Sequence, residues 1–290
     1  MEPIGKILKQ IGSQNSTPPP SQPEPNPESC TFCGAELRYR PLYDPLFDGR
    51  VAIWFPPHPC GCPEGQKETA ERAVQAKAAR EAKEAAERER ERQETIERLF
   101  KRSKIPARFQ ERTFENFRVS AENAVALTIA RDYAENFRDK LADGHGLLFV
   151  GTVGTGKTHL AAAITLHLIN RCQPVIFGTV TNLLGRLKNT YDNENKETER
   201  QVLDELLTIP LLVVDDLGKE KATAWVEQMV YEIINGRYED KKPLIITANM
   251  NLAGIEEQYE RNGKAIVSRI VEMCQGVRMD GCDYRKGRLL

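Results

Sequence analysis

The sequence predicts an α/β fold over residues 105–290, in which a parallel sheet carries helices on both faces. Short apolar runs of strand length alternate with longer amphipathic stretches in this region, which is typical of strand–helix–strand units. The chain ahead of residue 105 lacks this alternation and has a cysteine-rich segment followed by a long run of helix formers. We therefore expect a small module and a long helix to precede the α/β domain.

Residues 1–29 are rich in proline, serine, glutamine and asparagine. This composition cannot bury enough apolar surface to offset the conformational entropy that is lost on ordering. We expect these residues to form a disordered, proline-rich tail.

Residues 30–63 contain two close pairs of cysteines: Cys30 with Cys33, and Cys60 with Cys62. Four thiolates with this spacing are compatible with tetrahedral Zn²⁺, although the second pair is C-x-C, so His58 stays open as a substitute ligand. Free buried thiols and a redox-active C-x-x-C pair are the alternatives. The segment has little apolar mass and would need the metal to fold. We predict a zinc-binding module here.

Residues 64–104 are dominated by Ala, Glu, Lys, Arg and Gln, which are strong helix formers. Pairs such as Glu68 and Arg72 stand four residues apart in the favourable orientation. A helix of this length spans about 60 Å, and its lack of a sustained apolar seam favours a solvated spacer over a coiled coil. Pro106 ends it, because proline cannot continue the hydrogen-bond ladder.

The charge and hydropathy of the whole chain exclude two classes of protein. The 41 basic residues are balanced by 42 acidic ones, so bulk charge does not bind the chain to DNA or to an anionic membrane. The apolar runs are far shorter than the roughly 20 residues that span a bilayer, and no secretory signal is visible. An odd number of cysteines, seven, also argues against a disulfide framework. We predict a cytoplasmic protein with no membrane partner.

Within the α/β region, strands are predicted at residues 147–150, 175–178, 211–214 and 244–247. The first is followed directly by a G-x-x-x-x-G-K-T phosphate-binding loop and then by a helical stretch. The loop consists of Gly151, Thr152, Val153, Gly154, Thr155, Gly156, Lys157 and Thr158. Its backbone N–H groups would surround the phosphates of a nucleoside triphosphate, while Lys157 reaches the β and γ phosphates and Thr158 coordinates Mg²⁺.

Polar residues follow two later strands. Asp215 and Asp216 come directly after the strand at 211–214, where Asp215 would hold Mg²⁺ and Asp216 would orient or deprotonate the attacking water. Because Asp is shorter than the Glu that often has this role, the prediction that Asp216 is the base is weaker than the prediction that Asp215 binds the metal. Asn249 ends the strand at 244–247 and would hydrogen-bond the γ-phosphate or the water, unless it is a plain strand-end residue.

These stretches resemble the AAA+ ATPases of the bacterial helicase-loader group, of DnaC and DnaI type, and the related IstB-like ATP-binding family. The resemblance covers about residues 106–290 and includes Ser268-Arg269-Ile270 and Asp283-Tyr284-Arg285. It implies a P-loop NTPase that hydrolyses ATP with Mg²⁺. It also implies that Arg269 is an arginine finger for a neighbouring subunit and that Arg285 acts as a sensor on its own nucleotide. Self-association would then be needed for hydrolysis.

The resemblance also implies an ATP-dependent loader of the replicative DNA helicase that binds single-stranded DNA, because loaders of DnaI type have a zinc-binding module that docks on the helicase. An IstB-like transposition ATPase, acting on duplex DNA with a transposase, is the alternative, and a scaffold adaptor with a vestigial ATPase is a third. Candidate DNA contacts are Arg186, Lys188 and Lys196, which could equally form a solvated helix face. Three aromatic residues are open as nucleotide contacts or core: Phe109, Phe114 and Phe117.

Overall fold

The computed structural model describes residues 23–43, 51–189 and 198–284. The predicted tail therefore lies mostly outside the described residues, and within its described part, residues 23–29, Glu28–Ser29 form a strand. The chain divides into two compact units, Met1–Glu87 and Arg88–Leu290. The four-part division expected from the sequence, with boundaries at 29, 63 and 104, stays a prediction.

The first unit contains two short antiparallel ladders. Strand β1 (Glu28–Ser29) pairs with β2 (Glu36–Leu37), and β3 (Arg40–Tyr43) pairs with β4 (Val51–Phe55). Among the described residues of this unit, only Cys30 and Gly65 are buried. The unit therefore lacks a hydrophobic core of its own in its described part.

The predicted long helix is confirmed as α1 (Pro63–Ser103), which begins in the first unit and continues into the second. Proline is well suited to the first position of a helix, where its missing N–H would have no partner. Exposed ion pairs along the helix include Arg72 with Glu68 and Arg80 with Glu84. Lys104 has a positive φ of 58° and the extended Ile105–Pro106 step follows, so the helix ends where the sequence predicts.

The second unit alternates helices and strands after a single 3₁₀ turn, Ala107–Phe109. Its helices are α2 (Ala124–Glu135), α3 (Phe137–Asp143), α4 (Lys157–Asn170), α5 (Val180–Asn189), α6 (Glu199–Thr208), α7 (Ala224–Glu239), α8 (Leu252–Gln258) and α9 (Gly263–Met273). Its strands are β5 (Gly146–Val150), β6 (Val175–Thr179), β7 (Leu211–Leu217), β8 (Leu244–Ala248) and β9 (Cys274–Arg278). The four predicted strands are therefore confirmed to within a few residues.

The strands form a parallel sheet in the order β6-β7-β8-β5-β9 within the described chain. Alternate residues of β7 face opposite sides: Leu212 and Val214 join the core under α5 to α9, whereas Leu211 and Val213 join the core under α2 and α4. Burial on both faces explains why the central strands are continuous apolar runs. The predicted α/β class with two covered faces is confirmed.

Strand β9 is not predicted from the sequence. Its five residues include only one buried side chain, Val277, because it lies at the edge of the sheet beside β5. A short run with exposed polar residues carries no strand signal of its own. In the described residues, no helix is both long enough and apolar enough to cross a membrane.

Candidate functional site: a nucleotide cleft and a cysteine cluster

The glycine-rich loop connects β5 to α4 at the carboxyl end of the sheet. Gly151, Gly154 and Gly156 have φ values of 138°, 84° and 100°, which residues with a side chain rarely adopt. A Cβ on Gly156 would lie 2.7 Å from the ring of Phe117, so there is also no space for a larger residue. Backbone conformation and packing therefore both require glycine at this position.

Lys157 begins α4 and is only 5% exposed. Its Nζ donates hydrogen bonds to the carbonyl oxygens of Gly151 and Thr152, at 2.9 Å and 2.6 Å. These bonds satisfy the buried ammonium and place it against the backbone of its own loop. Lys157 also lines the cleft, as contact with the phosphates would require.

Asp215 lies between two hydroxyl groups. Thr158 Oγ1 and Thr247 Oγ1 donate to the same carboxylate oxygen of Asp215, at 2.8 Å and 2.7 Å. Burial raises the pKa of Asp215, although the two hydroxyl groups oppose the shift. A buried carboxylate oxygen beside a threonine hydroxyl is a donor set that suits Mg²⁺, a hard cation that takes oxygen ligands. Thr158 and Asp215, predicted separately, are brought together here.

Asp216 lies near the end of β7 and has a positive φ of 56°. The pairing of β7 with β8 is irregular at this point. Its carboxylate accepts a hydrogen bond from Asn249 Nδ2 at 2.9 Å and lies 3.4 Å from Lys219 Nζ. Its backbone N–H donates to Thr247 Oγ1 at 2.9 Å. The predicted residues Asp216 and Asn249 therefore contact each other directly.

Sequence reasoning missed Thr247 and Lys219. Thr247 is fully buried, and its one hydroxyl contacts the carboxylate of Asp215 and the backbone N–H of Asp216, so it fixes this part of β7 relative to β8. A threonine inside an apolar strand would be predicted as a site residue only if β7 and β8 were already known to be neighbours. Lys219 lies three residues after Asp216, which is a weak signal without the turn between them.

A cleft of about 830 Å³ opens over the glycine-rich loop. Asp215, Asp216, Asn249 and the loop line one side of it, and the segment between α1 and α2 lines another. Phe109 and Phe117 are in this lining, whereas Phe114 is buried in the core, edge-on to His167 and below the guanidinium of Arg131. The volume falls in the range of roughly 300–1,000 Å³ that is usual for small-molecule sites.

The chain after β9 crosses the glycine-rich loop. Met279 N donates to Val150 O at 2.8 Å, Thr152 Oγ1 to Gly281 O at 3.2 Å and Tyr284 N to Gly154 O at 3.3 Å. Tyr284 consequently joins the cleft lining. Arg285, the predicted sensor arginine, lies outside the described residues.

Arg269 is held on α9 against the aromatic residues of α7 and does not line the cleft. Its guanidinium lies 5.1 Å from the ring centre of Tyr231 and 5.7 Å from that of Tyr238. Its Nε donates to Asn235 Oδ1 at 2.5 Å. Arg269 therefore makes no contact with the cleft of its own chain, and its role toward a neighbouring subunit stays a prediction.

The candidate DNA-binding cations have partners of their own. Arg186 pairs with Glu205 at 2.6 Å, and the same carboxylate accepts from Arg102 at 2.8 Å. Lys188 lies 4.8 Å above the ring of the half-buried Trp225. Lys196 is outside the described residues.

The four cysteines of the first unit form one cluster, with all Sγ atoms within 4.8 Å of one another. Cys33 and Cys60 Sγ atoms are 3.3 Å apart, and those of Cys30 and Cys62 are 3.9 Å apart. These separations fit four thiolates at about 2.3 Å from a common Zn²⁺. His58 is not in the cluster, which contains cysteines alone among the described residues.

Backbone N–H groups contact the thiols of this cluster. Hydrogen bonds from the backbone of Cys33 and Phe32 lower the pKa of Cys30 to about 7. Backbone hydrogen bonds also oppose protonation of Cys33 and Cys62, at 3.3 Å from Gly65 N–H in the case of Cys62, but the neighbouring thiols and burial outweigh them and raise the pKa of both cysteines. A bound cation would itself favour the thiolates, so the four Sγ atoms could hold a metal.

Comparison with known proteins agrees with these features. Residues 66–289 match the family described as IstB-like ATP binding protein. The replicative helicase loader DnaC of Escherichia coli strain K12 is 34% identical over 176 residues, which cover 60% of this chain and 69% of DnaC. A crystal structure of the DnaC helicase loader, 29% identical, covers 60% of this chain and 99% of that chain with a TM-score of 0.53.

A crystal structure of DnaI is 21% identical and superimposes with a TM-score of 0.51, covering 62% of this chain and 94% of that chain, which supports the fold alone. The family match spans more than half of the chain, and the similarity to DnaC spans more than two thirds of DnaC. Both confirm the resemblance that the sequence motifs predict. The chain therefore belongs to the IstB-like ATP binding protein family, and it is an AAA+ ATPase related to the DnaC helicase loaders.

Proposed function

We propose that this chain is an ATP-dependent loader of the replicative DNA helicase. The similarity to DnaC, 34% identity across 69% of that loader, is the observation that carries the proposal. The cysteine cluster supports the choice, because it adds to the ATPase unit a module that a partner protein could bind. We expect the protein to act in the cytoplasm, where thiols stay reduced and available to a metal.

In this proposal, ATP binds in the cleft above the glycine-rich loop and Mg²⁺ is held by Thr158 and Asp215. Mg²⁺ supplies positive charge that neutralises the phosphate oxygens. The loop, from Gly151 to Thr158, surrounds the phosphates with backbone N–H groups, and Lys157 contacts the β and γ phosphates.

Asp216 orients the attacking water or accepts its proton. The hydrogen bond from Asn249 and the ion pair with Lys219 fix the direction of its carboxylate. A carboxylate that is held from two sides loses less orientational freedom when the water binds. Asn249 itself is close enough to Asp216 to contact the same water or the γ-phosphate.

Hydrolysis depends on self-association, because Arg269 acts on the nucleotide of a neighbouring subunit. Its exclusion from the cleft of its own chain and its fixed orientation on Tyr231 and Tyr238 support this role. Such arginines accelerate phosphoryl transfer by about 10³ to 10⁵ in other NTPases. Arg285, which follows Tyr284 in the sequence, would contact the nucleotide of its own chain.

The four clustered cysteines, Cys30, Cys33, Cys60 and Cys62, bind Zn²⁺, and the module that they hold together docks on the helicase. Single-stranded DNA is held by the assembled ATPase units. The position of Lys188 over the half-buried Trp225 supports a DNA contact on this surface, since a cation and an aromatic residue side by side suit a phosphate and a base. Arg186 is less suited, because Glu205 already neutralises it.

A pull-down with the tagged full-length chain tests the function. The bait is presented with ATP or ADP to the host's replicative helicase and, separately, to transposases. We expect the wild type and the Cys172→Ser variant to recover the helicase. The Cys30→Ser/Cys33→Ser variant should not recover it. Recovery of a transposase alone would instead support the alternative, an IstB-like transposition ATPase that acts on duplex DNA.

ATPase measurements on two variants test the site. Lys157→Ala should abolish nucleotide binding, because the loop loses its buried ammonium. Arg269→Ala should leave nucleotide binding intact and remove the increase in hydrolysis that accompanies assembly. Equal stimulated rates in the wild type and Arg269→Ala would contradict the role of Arg269 in a neighbouring cleft.

A further inference from the structure

One face of α7 holds the side chain of Arg269. Tyr231, Asn235 and Tyr238 stand at positions i, i+4 and i+7 of this helix, a spacing that places them in one stripe. Arg269, on the neighbouring helix α9, is half-buried and contacts all three of them. We call Tyr231, Asn235 and Tyr238 the α7 cradle.

The α7 cradle fixes the guanidinium of Arg269 in position and direction. Its Nε donates to Asn235 Oδ1 at 2.5 Å. Its Nη1 donates to Ala265 O at 3.0 Å, and its Nη2 donates to Tyr231 Oη at 3.3 Å. The ring centres of Tyr231 and Tyr238 lie 5.1 Å and 5.7 Å from Cζ, where aromatic rings attract a cation. The direction of the side chain is therefore set within its own chain, before any partner binds.

Asn235 is itself oriented by a second contact. Its Nδ2 donates to Glu239 Oε1 at 2.9 Å, one turn later in α7. The amide nitrogen is thus occupied by a carboxylate, and the amide oxygen is the atom that accepts from Arg269. Tyr238 is held by a hydrogen bond to Glu272, which raises the pKa of its hydroxyl. The two carboxylates consequently bind members of the α7 cradle.

The charge of Arg269 is not neutralised by these contacts. Its acceptors are an amide oxygen, a backbone carbonyl and a hydroxyl, and among the described residues it forms no ion pair with a carboxylate. An arginine that only joins two helices would gain more from a carboxylate, as Arg186 does from Glu205. A guanidinium has five N–H groups, so Nη1 and Nη2 each keep one for a further acceptor. The α7 cradle thus orients the guanidinium and leaves its charge for an anion.

We propose that Asn235 and Tyr231 are positioning residues for the arginine finger, which hold Arg269 in the direction in which it contacts the γ-phosphate bound by a neighbouring subunit. Neither residue is among those that line the described cleft, so neither acts on the nucleotide of its own chain. The inference rests on the proposed role of Arg269 in hydrolysis. Preorganised donors stabilise transition-state charge best, and a displacement of about 1 Å reduces a rate by as much as 10²-fold.

Hydrolysis by the full-length chain, measured as the protein concentration is raised to drive assembly, tests the inference. Asn235→Ala should lower the stimulated kcat about 10-fold or more. The KM for ATP should stay unchanged, because the finger acts in the transition state of a neighbouring cleft. Tyr231→Phe, which keeps the ring, should lose less than Tyr231→Leu. An unchanged kcat in Asn235→Ala would overturn the inference.

Gln228→Ala is the matched control. Gln228 Nε2 donates to Glu232 Oε1 at 2.7 Å, four residues later in α7, just as Asn235 donates to Glu239. Gln228 is exposed and makes no contact with Arg269 in the described part of the chain. Its replacement should change neither kcat nor KM. A loss equal to that in Asn235→Ala would show that the arginine is not the reason for the effect.

Two further variants separate positioning from a structural role. Asn235→Ala/Arg269→Ala should hydrolyse ATP no more slowly than Arg269→Ala, because Asn235 acts only through that arginine. Asn235→Asp should not recover the rate, although its carboxylate can accept from the same Nε, because it neutralises the guanidinium. A contact that only joins α7 to α9 would be recovered by this substitution. Additive losses in the double variant, or recovery in Asn235→Asp, would refute the positioning role.

Mixed assemblies show on which cleft Asn235 acts. Asp216→Asn carries an intact Arg269 but, in the proposed mechanism, hydrolyses little ATP itself. Mixing it with Asn235→Ala should raise the rate above the sum of the two separate rates, since the clefts of Asn235→Ala then receive a correctly held finger. No increase would mean that Asn235 acts in its own chain, contrary to the inference. If Arg269→Ala itself keeps the wild-type stimulated rate, the proposed role of the arginine fails, which is a distinguishable result.

Discussion

The cysteine cluster and the nucleotide cleft are built in opposite ways. The cleft lies at the end of strands that are buried on both faces, so packing alone holds Thr158, Asp215 and Thr247 within hydrogen-bonding distance of one another. The cysteine cluster lies in a unit whose described residues bury only Cys30 and Gly65. The difference teaches that one site is formed by the fold, whereas we expect the other to depend on a bound metal for its fold.

Removing the metal ligands tests this contrast most strongly. We expect Cys30→Ser/Cys33→Ser to unfold the first unit, because zinc binding supplies roughly 10 kcal/mol in structural sites and no core replaces it. Thermal unfolding of the second unit should be unchanged. Zinc content by elemental analysis and hydrogen exchange along the chain are the measurements, with Cys172→Ser as control. If residues 51–60 were fully protected from hydrogen exchange in the zinc-free protein, this would contradict the contrast between the two sites.

The second unit should instead depend on buried contacts such as those of Arg237. This arginine is fully buried and donates to the carbonyl oxygens of Leu206, Leu207 and Pro243, at 2.7, 3.1 and 2.7 Å. It thereby joins the end of α6 to the segment that leads into β8. Burial lowers its pKa to about 9, because the charged guanidinium loses its contact with water.

Arg237→Leu should lower the free energy of unfolding of the second unit by about 3 kcal/mol, since several buried carbonyl groups lose their donor. Chemical denaturation followed by circular dichroism measures the change. The exposed Arg138→Gln should have no effect beyond about 0.5 kcal/mol. A loss in Arg237→Leu no larger than in this control would show that the packing of the strands does not need the arginine.

Asp215 belongs to a site that is formed by packing, but its buried charge lowers the free energy of unfolding at neutral pH. Its pKa is raised by burial, so the folded chain binds the proton more tightly than the unfolded chain. The free energy of unfolding therefore falls as the pH rises through the pKa of the folded state, and at neutral pH the ionised carboxylate destabilises the fold.

Asp215→Asn should accordingly stabilise the nucleotide-free protein at pH 7 by about 1 kcal/mol, while it removes Mg²⁺-dependent hydrolysis. The stability difference should shrink at acidic pH, where Asp215 is protonated in the wild type. Denaturation at a series of pH values, without Mg²⁺, is the measurement. A variant that is less stable at pH 7 would show that the hydrogen bonds from the two threonines outweigh the burial of the charge.

The sequence predicts the parts of the cleft that depend on local patterns. The glycine-rich loop and the acids near the end of β7 follow from spacing along the chain, and they are adjacent because parallel strands end at the same edge. Thr247 could not be found this way, because its importance arises from hydrogen bonds to Asp215 and Asp216, which are more than 30 residues away in the sequence. Strand β9 could not be predicted for a similar reason, since it is a strand only through its pairing with β5.

The smallest expected effect belongs to a contact on the surface of the second unit. Burial opposes ionisation of Glu205, but hydrogen bonds from Arg186 and Arg102 outweigh it, so the pKa of Glu205 is lowered. A lowered pKa in the folded state adds stability above the pKa of the unfolded chain, near 4.5, and the addition is lost as the pH falls through the folded value. The pair with Arg102 joins the end of α1 to α6.

Glu205→Gln should therefore lower the free energy of unfolding by less than about 1 kcal/mol at pH 7, and by progressively less as the pH falls below 4.5. The same denaturation series used for Asp215→Asn would measure it, and the two variants should change stability with opposite sign at pH 7. High salt should reduce the effect of Glu205→Gln, because part of the contact is exposed, and should affect Asp215→Asn much less. An equal salt dependence of the two variants would mean that Asp215 is not shielded from solvent. Packing alone would then not explain how the cleft is formed, and the contrast with the cysteine cluster would be weaker.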